Sequence, residues 1–141
     1  MIKVLVPVDG SKTAERAVRH VVKLAQAGEA YEVHLVNVQE AADAPEVRRF
    51  LKDEDARRMQ LEHGSAALRG AKRLLDAAKI PYVEHVLIGE PAEEIAALAK
   101  RRKVDKIVMG THGRGTLAAM LMGSVATKVL HRATVPVTLV K

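Results

Sequence analysis

Apolar positions along the chain fall into short β-branched runs separated by longer amphipathic stretches. Lys3 to Pro7, KVLVP, is a compact apolar run that ends at Asp9-Gly10-Ser11. It predicts a buried strand entering a turn. Ala14, Ala17, Val18, Val21, Val22, Leu24 and Ala25 then recur at helical spacing, with Arg16, Arg19 and Lys23 on other faces. That stretch predicts an amphipathic helix with Ser11 or Thr13 as its cap and Gly28 as its stop. Glu32 to Val38 predicts a second strand. Residues 39–55 are polar and mixed, which predicts a mobile connection with a helical turn. From Arg57 to Lys79 the helical pattern returns through Leu61, Ala66, Leu68, Ala71, Leu74, Leu75 and Ala78, and Pro81 follows it.

Tyr82 to Ile88 predicts a third strand, and Pro91 suits the first turn of a helix continued by Ile95, Ala96, Leu98 and Ala99. Lys106 to Met109 is a fourth strand, Gly110 to Gly115 a glycine-rich loop, and a helix follows that ends near His131. Val137 to Val140, after Pro136, is a fifth strand. Strict alternation of strands and helices implies right-handed βαβ units and a parallel sheet covered on both faces. The unbroken apolar character of the strands fits burial on both sides. A length of 141 residues suits one domain spanning 1–141 with a real core.

Charge narrows the chemistry. The formal net charge is +6, yet no Asp or Glu follows Asp105, and Lys106, Arg114, Lys128, Arg132 and Lys141 lie in that last quarter. The earlier residues are close to neutral. This distribution points to an anion site in the last quarter more than to a generally basic surface. Aromatic residues make up 2 % of the chain, which denies a nucleic-acid binder its stacking platform. The run Lys100 to Lys103 is better read as a solvated helix end. With no cysteine, disulfide scaffolds, thiol nucleophiles and Cys-based metal sites are excluded. No stretch has the length of a membrane span, and MIKVLVPVDGS lacks a signal-peptide core, so a cytoplasmic protein is expected.

The glycine loop nearly matches two phosphate fingerprints and fails both. Gly110-x4-Gly115-Thr116 has P-loop spacing without the lysine. Gly113-x-Gly115-x-x-Ala118 resembles a dinucleotide fingerprint, but it follows the fourth strand and no acid lies downstream. A third spacing, Gly110-x2-Gly113-x9-Gly123-Ser124, is more specific. Glycines let backbone N–H groups approach phosphate oxygens. A helix N-terminus adds donors and the positive end of its dipole, and the Ser124 hydroxyl can donate as well.

With these pieces, the whole chain resembles the universal stress protein family, ATP-binding subclass. The resemblance rests on V-P-V-D-G-S at Val6 to Ser11, G-E-P at Gly89 to Pro91, M-G-T-H-G-R-G at Met109 to Gly115, G-S-V-A at Gly123 to Ala126 and V-P-V-T-L-V at Val135 to Val140. It implies an open five-stranded parallel sheet of order 3-2-1-4-5, of the adenine-nucleotide α-hydrolase-like kind. It further implies that Gly110, Gly113, Gly123 and Ser124 hold the phosphates of ATP, with Val125 offering another amide and His112 lining that side. Asp9 would face the ribose or adenine. Pro7 and Val38 would flank the adenine, and Met109 would pack beside it. Where the family often has His-Val at the end of strand two, this chain has Asn37-Val38. The resemblance also implies a homodimer through the last strand, Val137 to Val140. A Mg²⁺ or Mn²⁺ ion can accompany the nucleotide, Asp9 being the one metal-ligand candidate.

Each of these residues also has a plain structural reading. Asp9 can form an Asx-turn, Ser124 can cap a helix, and His112 can be a turn residue. Met109, Met120 and Met122 read as core filler. His20, His34, His63, His85 and His131 show no metal-ligand spacing, and most are expected at the surface or at helix ends. With no base or acidic cluster evident near the loop, ATP is expected to act as a regulatory ligand that is hydrolysed slowly at most. The rival class is an ATP-using transferase or hydrolase on the same fold. Its S-G-G-x-D-S loop after strand one is not matched by Val8-Asp9-Gly10-Ser11.

Overall fold

The computed structural model describes residues 1–40, 53–113 and 122–141. Along them run β1 (Ile2–Pro7), α1 (Lys12–Gln26), β2 (Tyr31–Gln39), α2 (Asp53–Ala77), β3 (Tyr82–Ile88), α3 (Pro91–Arg101), β4 (Lys106–Gly110), α4 (Ser124–Arg132) and β5 (Val137–Val140). The strands form one sheet of order β3-β2-β1-β4-β5, and every neighbouring pair is parallel.

Two apolar cores lie on opposite faces of the sheet. On one face Val4, Val6, Val33 and Leu35 meet Ala17, Val18 and Val21 of α1 and Leu68, Ala71 and Leu75 of α2. On the other, Leu5, Val36, Ile107 and Met109 meet Ile95, Leu98 and Ala99 of α3 and Ala126 and Val129 of α4. Alternation along each strand divides its side chains between the two faces, and this explains why the strands read as unbroken apolar runs.

Local signals set the helix ends. Ser11, not Thr13, caps α1, its hydroxyl accepting from the Ala14 N–H at 3.2 Å. Gly28 follows the C-cap Ala27 with φ 110°, a left-handed conformation that costs glycine little. Glu90 caps α3 by accepting from the Glu93 N–H at 2.7 Å, with Pro91 in the first turn.

Several elements differ from the pattern-based expectation. β2 and β4 extend to Gln39 and Gly110, because ladder partners Ile88 and Val140 reach that far. α2 begins at Asp53 and ends at Ala77, where Lys79 turns left-handed (φ 57°) and the Ile80 N–H returns to the Leu75 carbonyl. Among the described residues, the helix after the glycine loop spans Ser124–Arg132. The connection expected over 39–55 lies largely outside the described residues, as do Arg114, Gly115 and Met120.

Most of the histidines were expected at the surface or at helix ends, and His34 is the buried exception. His34 is 3 % exposed. Its Nδ1 lies 3.0 Å from His85 Nε2, and its Nε2 lies 3.0 Å from Glu32. The two rings stack with centroids 5.3 Å apart.

Candidate functional site

β1 and β4 are neighbours, yet the chain leaves them toward opposite faces, to α1 after β1 and to α4 after β4. A crevice must open beyond their carboxyl ends, and in open α/β sheets that is where ligands bind. A cavity lies there. The end of β1 contributes Pro7, Val8 and Asp9. The end of β2 contributes Val36, Asn37, Val38 and, just beyond, Glu40. Pro91 and Ile95 of α3 line one wall. Met109 to Gly113 and Gly123 to Ala126 complete it, with Ala14 behind. All ten residues singled out from the sequence, Pro7, Asp9, Val38, Met109, Gly110, His112, Gly113, Gly123, Ser124 and Val125, line this one cavity.

Backbone bonding ties the residue after β4 to its neighbours. The Thr111 N–H donates to the Val140 carbonyl at 2.9 Å, and the Thr111 carbonyl accepts from the Gly123 N–H at 2.6 Å. Thr111 therefore ties the end of β5 to the start of α4. Its hydroxyl also lies 2.9 Å from His112 Nδ1.

Gly123, not Ser124, is the N-cap of α4, and it offers no side-chain cap bond. The first turn of α4 holds no acid, whereas α1 has Glu15 and α3 has Glu93 and Glu94 there. Orphan N–H groups at this helix start therefore face the cavity without a side-chain partner among the described residues. Ser124 is exposed at the first helical position.

The Asp9 carboxylate accepts from the Ser11 N–H at 2.9 Å and so builds the turn into α1. Its other oxygen lies against Gly113, where an added Cβ would sit 2.4 Å from it. Gly110 is tight for another reason: a Cβ there would lie 2.7 Å from Thr13 Cγ2 and 3.1 Å from the Thr13 backbone carbon. Its missing side chain makes room for the first turn of α1.

The basic tail acquires a different meaning. Lys128 reaches Glu90 at 3.9 Å and Arg132 reaches Glu93 at 3.3 Å. Lys106 lies 5.5 Å above the Tyr31 ring. These three cations answer Glu90, Glu93 and an aromatic face, so much of the positive charge in the last quarter already has a partner away from the cavity.

Among the described residues, no three His, Asp or Glu side chains gather as a metal site, and no helix is long and apolar enough to cross a membrane. Sequence reasoning missed Asn37 and Thr111 as lining residues. With His34 they are the described polar residues that are fully buried. A polar side chain within a strand covered on both faces was the available signal for Asn37.

Fold and crevice together define a doubly wound α/β protein with its cavity at the switch point between β1 and β4. The universal stress protein family matches over residues 1–141, and the chain belongs to that family. Protein MJ0577 of Methanocaldococcus jannaschii has a solved structure that is 31 % identical with a TM-score of 0.85, covering 99 % of this chain and 95 % of that one. A universal stress protein in complex with cAMP is 26 % identical at a TM-score of 0.73, covering 99 % of this chain and 97 % of that one. The universal stress protein of Archaeoglobus fulgidus in complex with dAMP is 25 % identical at a TM-score of 0.72, covering 100 % and 98 %.

Proposed function

We propose that the chain binds ATP in the switch-point cavity and acts as a nucleotide-regulated stress-response protein in the cytoplasm. The observation that carries this reading is the convergence of Gly110, Gly113, Gly123 and Ser124 on one cavity with the start of α4. Relatives of the same fold are described with cAMP and dAMP, so an adenine nucleotide is the ligand class. Within that class, the complete glycine spacing and the acid-free first turn of α4 support ATP.

In this reading the phosphates lie on the amides of Gly123, Ser124 and Val125 and on the Ser124 hydroxyl, with Gly110 and Gly113 giving close backbone approach and His112 lining that side. Pro7, Val38 and Met109 enclose the base, and Asp9 faces the ribose. A Mg²⁺ or Mn²⁺ ion would bind chiefly through phosphate oxygens, with Asp9 as its one protein carboxylate on that side. In this reading the nucleotide serves as a regulatory ligand, hydrolysed slowly at most. The protein works as a homodimer joined along β5.

Two measurements test this. Denaturing the purified protein should release adenine nucleotide, or added ATP should raise its melting temperature. A ligand at a hundredfold its Kd stabilises by about 2.7 kcal/mol, which is several degrees for a chain of this size. Gly123→Val places a β-branched side chain where phosphate would approach. Its backbone, at φ −73° and ψ 163°, admits any residue, so ATP binding should fall at least tenfold in a variant whose urea midpoint shows it folded. No released nucleotide together with no shift refutes the proposal.

A further inference from the structure

The β1–β2 ladder ends at Pro7 and Val36, and a buried side chain stands where its next bond would form. The Val8 N–H donates to the Val36 carbonyl at 2.8 Å. In a parallel pair, a residue that donates to position j−1 accepts from position j+1 of the same strand. The regular donor to the Val8 carbonyl is therefore the Val38 N–H. That bond is absent among the described residues. The Asn37 side chain takes its place, Nδ2 donating to the Val8 carbonyl at 2.9 Å.

Asn37 is 4 % exposed. It is held in turn, with Gln39 Nε2 donating to its Oδ1 at 2.8 Å and Gly64 of α2 packed close above that oxygen. Along a strand, the N–H and C=O of one residue point to the same side. Those of Val38 point toward β1, past its last paired residue, where the cavity begins. A donor and an acceptor from one residue thus stand side by side on the cavity wall. They suit a heteroaromatic edge carrying an acceptor beside an amine, as adenine does.

We infer that Asn37 is a positioning residue: its amide replaces a strand hydrogen bond and so releases the Val38 N–H for the base of the bound nucleotide. This rests on reading the cavity as an adenine-nucleotide site. The same bond fixes the Val8 carbonyl, and with it the chain entering Asp9.

Removing the amide lets the strand bond close. In Asn37→Ala the Val8 carbonyl loses its partner, and the Val38 N–H is the nearest group able to satisfy it, because a buried orphan carbonyl is costly. The free donor is then consumed. Base recognition should weaken while phosphate recognition, made at the other end of the cavity, is unchanged.

The test is amide hydrogen exchange by NMR on the nucleotide-free protein, with ATP and tripolyphosphate affinities measured alongside. In the native sequence the Val38 amide should exchange quickly and become protected when ATP is added. In Asn37→Ala and Asn37→Ser it should be protected without ligand, ATP affinity should fall about tenfold, and tripolyphosphate affinity should hold. Protection of the Val38 amide in the nucleotide-free native protein overturns the inference, as does unchanged ATP affinity in both variants. A native protein that takes up no ATP overturns the reading of the cavity instead. The exchange arm needs no nucleotide and still decides the role of Asn37.

Discussion

Glycines that line one cavity need not be there for one reason. Gly110 faces Thr13, whose methyl and backbone carbon already occupy the space a Cβ would take. Among the described residues, Gly113 faces the far end of the Asp9 side chain, a flexible group and not a backbone atom. Gly110→Ala should therefore destabilise the protein whether or not nucleotide is present, by about 1–3 kcal/mol as overpacking typically does. Combining it with Thr13→Ala removes the nearest atom and should restore part of that loss. Chemical denaturation of the single and double variants measures the coupling. Equal additive losses would show that Thr13 is not the cause. Gly113→Ala should cost much less, since a carboxylate is easier to displace than a backbone.

At the scale of elements, what was readable from the sequence follows from what is local. Strands, helices and the cap at Ser11 were legible because burial on both sheet faces leaves apolar runs and because caps act within one turn. Strand ends were not, since Gln39 and Gly110 join the sheet only through partners on other strands. Gly110, Gly113, Gly123 and Ser124 were legible as a spacing and the other expected lining residues through the family resemblance, whereas Asn37 was passed over because its bond is to the Val8 carbonyl, outside its own strand. The pairing of His34 with His85 was hidden for the same reason: 51 positions separate the two rings.

That pair joins β2 to edge strand β3 and has a consequence for acid stability. The buried His34 ring stands between Glu32 and His85, with Nε2 3.0 Å from the Glu32 carboxylate and Nδ1 3.0 Å from His85 Nε2. Burial, then the positive charges of Arg102, His34 and Arg101, push His85 below its ordinary value of 6.5. Glu32 lies on the far side of His34 and offsets little of this at His85. The folded state thus binds this proton less readily than the unfolded chain. Stability from this site is complete above about pH 6.5 and is lost as pH falls toward the lower folded-state value. Urea midpoints should fall between pH 7 and pH 5. His85→Gln should flatten that slope, and Arg102→Gln should reduce it. A slope unchanged by His85→Gln would place the acid sensitivity elsewhere.

For the whole molecule, the sheet has two ends and they are not alike. The β3 end carries charged and exposed positions, Glu84 and Val83. The β5 end is the apolar run Val137–Val140, with its residues only partly buried. Alternation assigns its backbone groups. The Ile107 N–H bonds to the Pro136 carbonyl and the Thr111 N–H to the Val140 carbonyl, so residues 136, 138 and 140 face β4. Val137 and Leu139 then turn their N–H and C=O groups outward. A flat apolar edge of this kind invites a second strand, and a two-fold axis would let two copies of β5 pair antiparallel. Val137→Pro removes one outward N–H and leaves the inward ladder to β4 intact. If the proposed homodimer forms along this edge, the native chain should sediment as a dimer at micromolar concentration. The variant should then be a folded monomer, or dissociate at least tenfold more readily. A native chain that is monomeric throughout that range, or a variant dimer of undiminished affinity, would remove β5 from the interface. Because Thr111 links the end of β5 directly to Gly123, the same variant should be titrated with ATP. Affinity close to native would show that the cavity keeps its shape when the edge is free.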